Sequence, residues 1–295
     1  MRRHPVILGI CILLFIGVIF FALIYVLSLF NGDGGSIRRQ AKVGVVRIEG
    51  VITDGRETIE QIEELTDDDS IKAVVLRIDS PGGGVAVAQE IYQAVRKLQA
   101  KKKVVVSMGS VAASGGYLIA TAADKIVANP GTITGSISAV IHYANIQELM
   151  KKVGVSSSVI KSGKFKDIGS PVREMTAEEK QLIQGLVDDI YDQFVRTVAE
   201  DRKIPLEIIM GLADGRIFSG RQALQLKLVD ELGGLQDAVV LAGRLAGIEG
   251  KPVVVYTAKR KINFWRYLIE STASAILGEI RKNAVENQGA QYHFQ

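Results

Sequence analysis

The stretch Val111-Ala112-Ala113-Ser114-Gly115-Gly116-Tyr117-Leu118-Ile119-Ala120 places a serine where small residues open an alanine-rich helix reaching about Asp124. Peptide N–H groups beside such a serine, with the positive end of a helix dipole beneath it, suit attack on a carbonyl whose oxygen turns negative. The same residues also fit a plain helix start in which Ser114 only packs or caps. A second backbone feature, Pro81-Gly82-Gly83-Gly84, presents N–H groups with no side chains in the way. Such a turn serves an oxyanion, a phosphate or only the path of the chain. The phosphate option lacks its signature, since these glycines form neither Gly-x-x-x-x-Gly-Lys-Ser/Thr nor Gly-x-Gly-x-x-Gly.

A serine hydroxyl needs a base within hydrogen-bond reach. Of the three histidines, His4, His142 and His293, only His142 lies where a folded core is expected. A lone histidine there is more often structural, which disfavours a Ser-His-Asp triad. A carboxylate is a weak base toward an alcohol, so lysine remains. A free lysine with a pKa near 10.4 is neutral in only about one molecule in two to three thousand at neutral pH, and must be desolvated or set beside positive charge. Lys166 follows Phe165, with Ile168, Gly169 and Pro171 beyond it, in a loop that reads as short of charge. Lys164 competes with it, and spacing alone does not choose.

The elements that must position these residues read as follows. A strand over 42–48, a helix over 57–65 and an apolar strand over 71–79 lead into the glycine turn. A helix over 85–98 and a strand over 103–108, broken by Gly109 and Ser110, lead to Ser114. Strands over 125–128, 135–140 and 156–161 and a helix over 145–152 follow. Thr176-Ala177-Glu178-Glu179 opens the longest soluble helix, reaching about Arg202. A shorter helix from Pro205, a helix from Gly234 to about Ala246 and a strand over 253–256 complete the series. Strands alternating with helices predict an α/β fold with a largely parallel sheet, whose ligands bind where strands end in loops. Both the glycine turn and Ser114 occupy that position.

The 295 residues are 47% hydrophobic and carry a net charge of +4. Residues 1–40 hold four arginines and one aspartate, leaving +1 for the rest, so nucleic acid is not an expected partner. The single cysteine, Cys11, excludes intrachain disulfides, a cysteine nucleophile in the soluble part and thiolate metal sites. No cofactor and no metal are called for. Val6 to Phe30 is an uncharged run of 25 residues. As a helix it spans roughly 37 Å, against about 30 Å of hydrocarbon, whereas a cleaved signal has an apolar stretch of about 7–15 residues. Residues 1–30 are therefore expected to form an uncleaved membrane anchor. Arg2 and Arg3 favour a cytoplasmic amino terminus and an extracytoplasmic domain, although Arg38, Arg39 and Lys42 follow closely. A linker over 31–41, one domain over 42–258, an amphipathic helix over 259–282 and a polar tail over 283–295 complete the expected organisation. The basic, apolar-faced helix suits a membrane surface, its own core or a neighbouring subunit.

Four motifs carry a resemblance. Asp79-Ser80-Pro81-Gly82-Gly83, Ala113-Ser114-Gly115-Gly116-Tyr117, Thr134-Gly135-Ser136-Ile137 and Ser162-Gly163-Lys164-Phe165-Lys166-Asp167 occur in that order. Together they resemble the short form of the bacterial signal peptide peptidase A family, peptidase family S49, from about residue 42 to 250. The resemblance implies a fold of the Clp protease and crotonase type. It implies a serine protease that degrades signal peptides left in the membrane, with Ser114 as nucleophile and Lys166 as general base. Gly83 and Gly115 then match the oxyanion donors, and Ser136 the hydroxyl that orients the lysine ammonium. It also implies a homo-oligomeric dome on the membrane, an octamer, in which neighbouring subunits complete each site. Two other functions fit the same residues: an acyl-CoA hydratase or isomerase using the same oxyanion hole, and a non-catalytic membrane scaffold.

Overall fold

The computed structural model describes residues 14–23 and 41–257. The chain divides into two compact units, Met1–Ala41 and Lys42–Gln295. In the first, residues 14–23 are helical. Among the described residues, no helix is long and apolar enough to cross a membrane. The anchor expected over 1–30 and the linker over 31–41 lie mostly outside the described residues, and the helix over 259–282 and the tail lie wholly outside them.

In the second unit, one sheet is built from β1 (Lys42–Glu49), β2 (Ile71–Ser80), β3 (Lys103–Ala113), β4 (Lys125–Ala128), β5 (Ile133–Gly135), β6 (Ile217–Ser219), β7 (Glu231–Leu232) and β8 (Val253–Tyr256). Its path runs β6-β5-β3-β2-β1-β8, with β4 on β3 and β7 on β4. Among the described residues every pairing is parallel except β5 with β6. The helices are α1 (Arg56–Asp67), α2 (Val85–Gln99), α3 (Gly115–Thr121), α4 (Gln147–Lys152), α5 (Ala177–Arg202), α6 (Leu206–Leu212), α7 (Gly220–Gln225) and α8 (Leu235–Leu245).

The central strands are buried on both faces, which is why β2 reads as an apolar run. Ala73 and Val75 pack with Ala238, Val239, Leu241 and Ala242 of α8 on one side. Val74, Leu76 and Ile78 pack on the other with Ile62 of α1, Ile91 and Val95 of α2 and Ile119 of α3. Each such buried Val, Leu or Ile side chain contributes roughly 1.5–3 kcal/mol. The result is a rigid floor from which the loops after β2 and β3 rise.

Strand β3 does not break at Gly109 and Ser110 as expected. It runs on to Ala113, pairing with β4 in its first half and β5 in its last three residues. The pairing of β3 with β2 shifts register between Ile78 and Ser80, and Asp79 sits at that shift. Its Oδ1 accepts from the Val111 N–H at 3.0 Å, and a Cβ on Gly109 would lie 2.6 Å from its Cγ. Glycine at 109 thus leaves room for the Asp79 side chain while β3 continues to Ala113.

Two expected strands are corrected. Residues 135–140 contribute only Gly135 to β5, and 136–146 carry no regular structure, because Ser136 turns away at φ +52°. Residues 156–161 are exposed and irregular rather than a strand. The short β6 and α7 were too brief to show a period in the sequence. The capping box of α5 forms as expected: Glu179 N–H donates to Thr176 Oγ1 at 3.2 Å, and Thr176 N–H to Glu179 Oε2 at 2.9 Å.

Candidate active site

Ser114 joins β3 to α3 at φ +53° and ψ −123°. These are the angles of the first central residue of a type II′ turn, a conformation costly for a residue with a side chain, by about 1–3 kcal/mol. Main-chain bonds enforce it. The Ser114 N–H donates to Gly135 O at 2.9 Å, and its carbonyl accepts from Leu118 N–H at 2.9 Å. The serine is half-buried, at the point where the chain leaves the sheet.

The end of β5 supplies that acceptor and is itself constrained. Gly135 stands at φ +83°, and a Cβ there would lie 2.7 Å from the Phe218 ring. The next residue, Ser136, donates its N–H to Arg216 O at 2.9 Å. One strand end therefore fixes Ser114 through a carbonyl and Ser136 through an amide.

The glycine turn after β2 is folded onto Ile52. Ser80 is fully buried, and its Oγ accepts from the Gly82 N–H at 3.0 Å. Ile52 N–H donates to Gly82 O, and Gly84 N–H donates to Ile52 O, both at 2.9 Å. With the flanking groups spent on Ile52, the Gly83 N–H faces the opposite side. A Cβ on Gly83 would lie 2.1 Å from Ile52 O, so only glycine allows this approach. A Cβ on Gly115 would lie 3.6 Å from the Gly83 nitrogen, and one on Gly82 would lie 2.8 Å from the Gly115 nitrogen. The Gly83 and Gly115 nitrogens and Ser114 thus lie close to one another. Gly83, Ser114 and Gly115 line a single cavity of about 1300 Å³, together with Ser138. Ile59, Ile62, Ala88, Ala94, Leu118 and Phe194 give it mainly apolar walls.

Lys166 stands elsewhere. It is exposed in the turn over 164–169 and is not among the residues lining the cavity. Lys164 pairs with Glu178. The loop was expected to be short of charge, and this is corrected. Asp167 binds Arg173 through Nε at 2.8 Å and Nη2 at 2.9 Å, and also binds Lys161. Arg173 continues to Glu179, Nη1 to Oε2 at 2.8 Å. The loop also rests on the segment over 136–146, where Tyr143 fills the space beside Gly169 and Ile146 N–H donates to Pro171 O at 2.7 Å. His142 on that segment is exposed, not in a core. Among the described residues, no group of histidine, cysteine and acidic side chains could hold a metal ion.

The sequence profile described as peptidase family S49 matches residues 96–249. The chain belongs to peptidase family S49. The profile of the Clp protease matches residues 36–134, in agreement with a Clp-like α/β fold on a mostly parallel sheet. This S49 member is 45% identical over 217 residues to a putative protease of Synechocystis sp., covering 73% of this chain and 78% of that one. It is 35% identical over 221 residues to a putative signal peptide peptidase SppA of Enterococcus faecium, covering 70% and 63%. It is 36% identical over 220 residues to Protease 4 of Haemophilus influenzae, covering 69% and 35%. The chain thus spans less than two thirds of the length of the last two. The expectation of a signal peptide peptidase family member holds.

Three residues that organise the cavity and the two loops were not singled out in the sequence. Ser80 was quoted only as part of a motif. Ser138 was placed inside a strand, and its place in the cavity wall follows from the loss of that strand. Arg173 lies six residues from each of its acidic partners across an irregular loop, a spacing with no periodic signal.

Proposed function

We propose that this chain is a membrane-anchored serine endopeptidase that cuts hydrophobic peptides, cleaved signal peptides among them, by a Ser114–Lys166 dyad. The observation that carries the reading is Ser114 held at φ +53° beside the Gly83 and Gly115 amides, on the wall of a mainly apolar cavity. Neutral Lys166 Nζ takes the Ser114 proton as Oγ bonds to the scissile carbonyl carbon. The carbonyl oxygen becomes negative between the two glycine N–H groups. The lysine ammonium returns the proton to the leaving amine, the C–N bond breaks, and water hydrolyses the acyl-enzyme with the same lysine as base. The Ser136 hydroxyl accepts from the ammonium and orients it.

Lys166 is exposed in its own chain, so it serves the cavity of a neighbouring copy in a homo-oligomer, the octameric dome that the family implies. Exposed apolar side chains on the same part of the chain support this, among them Leu149, Val153, Ile160, Leu182 and Leu186. Residues 1–30 anchor the assembly with the amino terminus in the cytoplasm and the protease domain outside.

The test is cleavage of a synthetic signal peptide by the full-length chain in detergent micelles, with product masses recorded. Ser114→Ala and Lys166→Ala should each abolish turnover, and co-assembling the two variants should restore part of it. Full activity in Lys166→Ala would sink the dyad, and no recovery on mixing would return the lysine to its own chain.

A further inference from the structure

The residue after Lys166 is an aspartate, and a carboxylate free to pair with a lysine ammonium would hold its proton and spoil it as a base. Asp167 is not free. Its side chain is only 13% exposed, and both oxygens are taken. Arg173 Nε donates to Oδ2 at 2.8 Å and Arg173 Nη2 to Oδ1 at 2.9 Å, while Lys161 Nζ also donates to Oδ1. Lys161 is aimed by a second bond, to Lys164 O at 2.9 Å. Arg173 is aimed by Glu179, which is 3% exposed.

Of the other charged groups nearby, Lys164 pairs with Glu178, and the Glu174 main-chain carbonyl accepts from Arg173 Nη1 at 3.0 Å while its side chain is exposed. His142 and Tyr143 are the titratable groups on the segment packed against the loop. The Lys166 side chain makes no hydrogen bond or ion pair among the described residues.

We propose that Arg173, with Lys161, is a positioning residue that withholds Asp167 from Lys166, leaving the lysine free of the carboxylate its own sequence sets beside it. This rests on Lys166 being the general base. The bonds from Arg173 and Lys161 also hold the Asp167 carboxyl well below the usual carboxylate range, so it remains an anion that must be kept occupied.

The test is kcat/KM against pH for the full-length chain in micelles, for wild type, Arg173→Gln, Arg173→Gln with Asp167→Asn, Arg173→Lys and Lys166→Ala. In Arg173→Gln, Lys161 stays on Oδ1 but Oδ2 loses its donor and is open to Lys166, which should move the acid limb up by about one pH unit, an approximately tenfold loss on that limb. Adding Asp167→Asn should bring the limb back although the loop has lost both anchors. Arg173→Lys keeps a cation on Asp167, so its limb should stay within a few tenths of a unit of wild type. This milder arm decides the matter if the glutamine variant does not fold. A limb unmoved in Arg173→Gln, a double variant no better than the single one, or Arg173→Lys displaced by a full unit would each overturn the proposal. Wild-type activity in Lys166→Ala would instead overturn the assignment of the base.

Discussion

The turn that carries Ser114 and the loop that carries Lys166 are held by different kinds of bond. The serine turn is fixed by main-chain hydrogen bonds among β2, β3, β5 and Ile52, over a floor of fully buried side chains. The lysine loop exposes Lys166 but is fixed by a largely buried cluster of charge, through Lys161, Asp167, Arg173 and Glu179. Main-chain bonds in a buried sheet do not respond to salt or to ordinary pH. Ion pairs respond to salt where solvent reaches them, and to pH once it falls toward the lowered carboxyl values. The turn of the proposed nucleophile is therefore built once, by folding, and the loop of the proposed base is set by its charged surroundings.

The largest test of this contrast is Ser114→Ala. It should reduce peptide cleavage by a factor on the order of 10⁴ or more while leaving the thermal midpoint near that of wild type. Activity within tenfold of wild type would move the nucleophile elsewhere. Gly83→Ala comes next. Its Cβ would meet Ile52 O at 2.1 Å, so the peptide must shift, and kcat should fall about 10²–10³-fold with a much smaller change in KM. Gly84→Ala is the control, since φ is −61° there and the nearest atom to its Cβ is 3.6 Å away. Equal losses in the two variants would remove the special role of the Gly83 amide.

Ser80→Ala should act more gently, through the Gly82 N–H it leaves without its acceptor. The expected effect is about 1 kcal/mol of stability, a thermal midpoint lower by about 2–4 °C, and a kcat reduced about tenfold at nearly constant KM. A KM effect without a kcat effect would count against a role in the oxyanion turn.

The smallest effect belongs to the lysine loop and concerns stability. Arg173, and after it the Thr176 backbone, holds the Glu179 carboxyl at about 2, against about 4.3 in an unfolded chain. The unfolded state thus binds the proton more readily. The contribution is complete above the unfolded value and is lost as pH falls through about 2. Thermal midpoints between pH 6 and 3 should therefore fall less in Glu179→Gln than in wild type. Parallel decline would mean that the clamp is not linked to folding.

The same contrast explains what the sequence disclosed. The serine half was legible because its requirements are local. Small residues after a β-branched run, and a glycine triplet after an apolar strand, mark places where backbone meets backbone. Ser136 was found by its motif, yet the strand drawn through it was wrong, since nothing in a serine signals φ +52°. The lysine half was legible only as a motif. Lys164 and Lys166 look alike in the sequence, whereas in the fold Lys164 pairs with Glu178 and Lys166 does not, and a loop judged short of charge proved to be organised by it. Side-chain pairs six residues apart in an irregular loop leave no period to read.

The angle at which Ser114 sits has a consequence for descent. At φ +53° a β-branched side chain is strongly disfavoured, so a threonine nucleophile is closed to this turn, however well its hydroxyl would serve. Cysteine, with the same single branch at Cβ as serine, remains open. Glycine would relieve the backbone and remove the hydroxyl. Lineages that abandon catalysis on this architecture should accordingly drift at position 114 toward glycine, gaining stability as they lose the reaction.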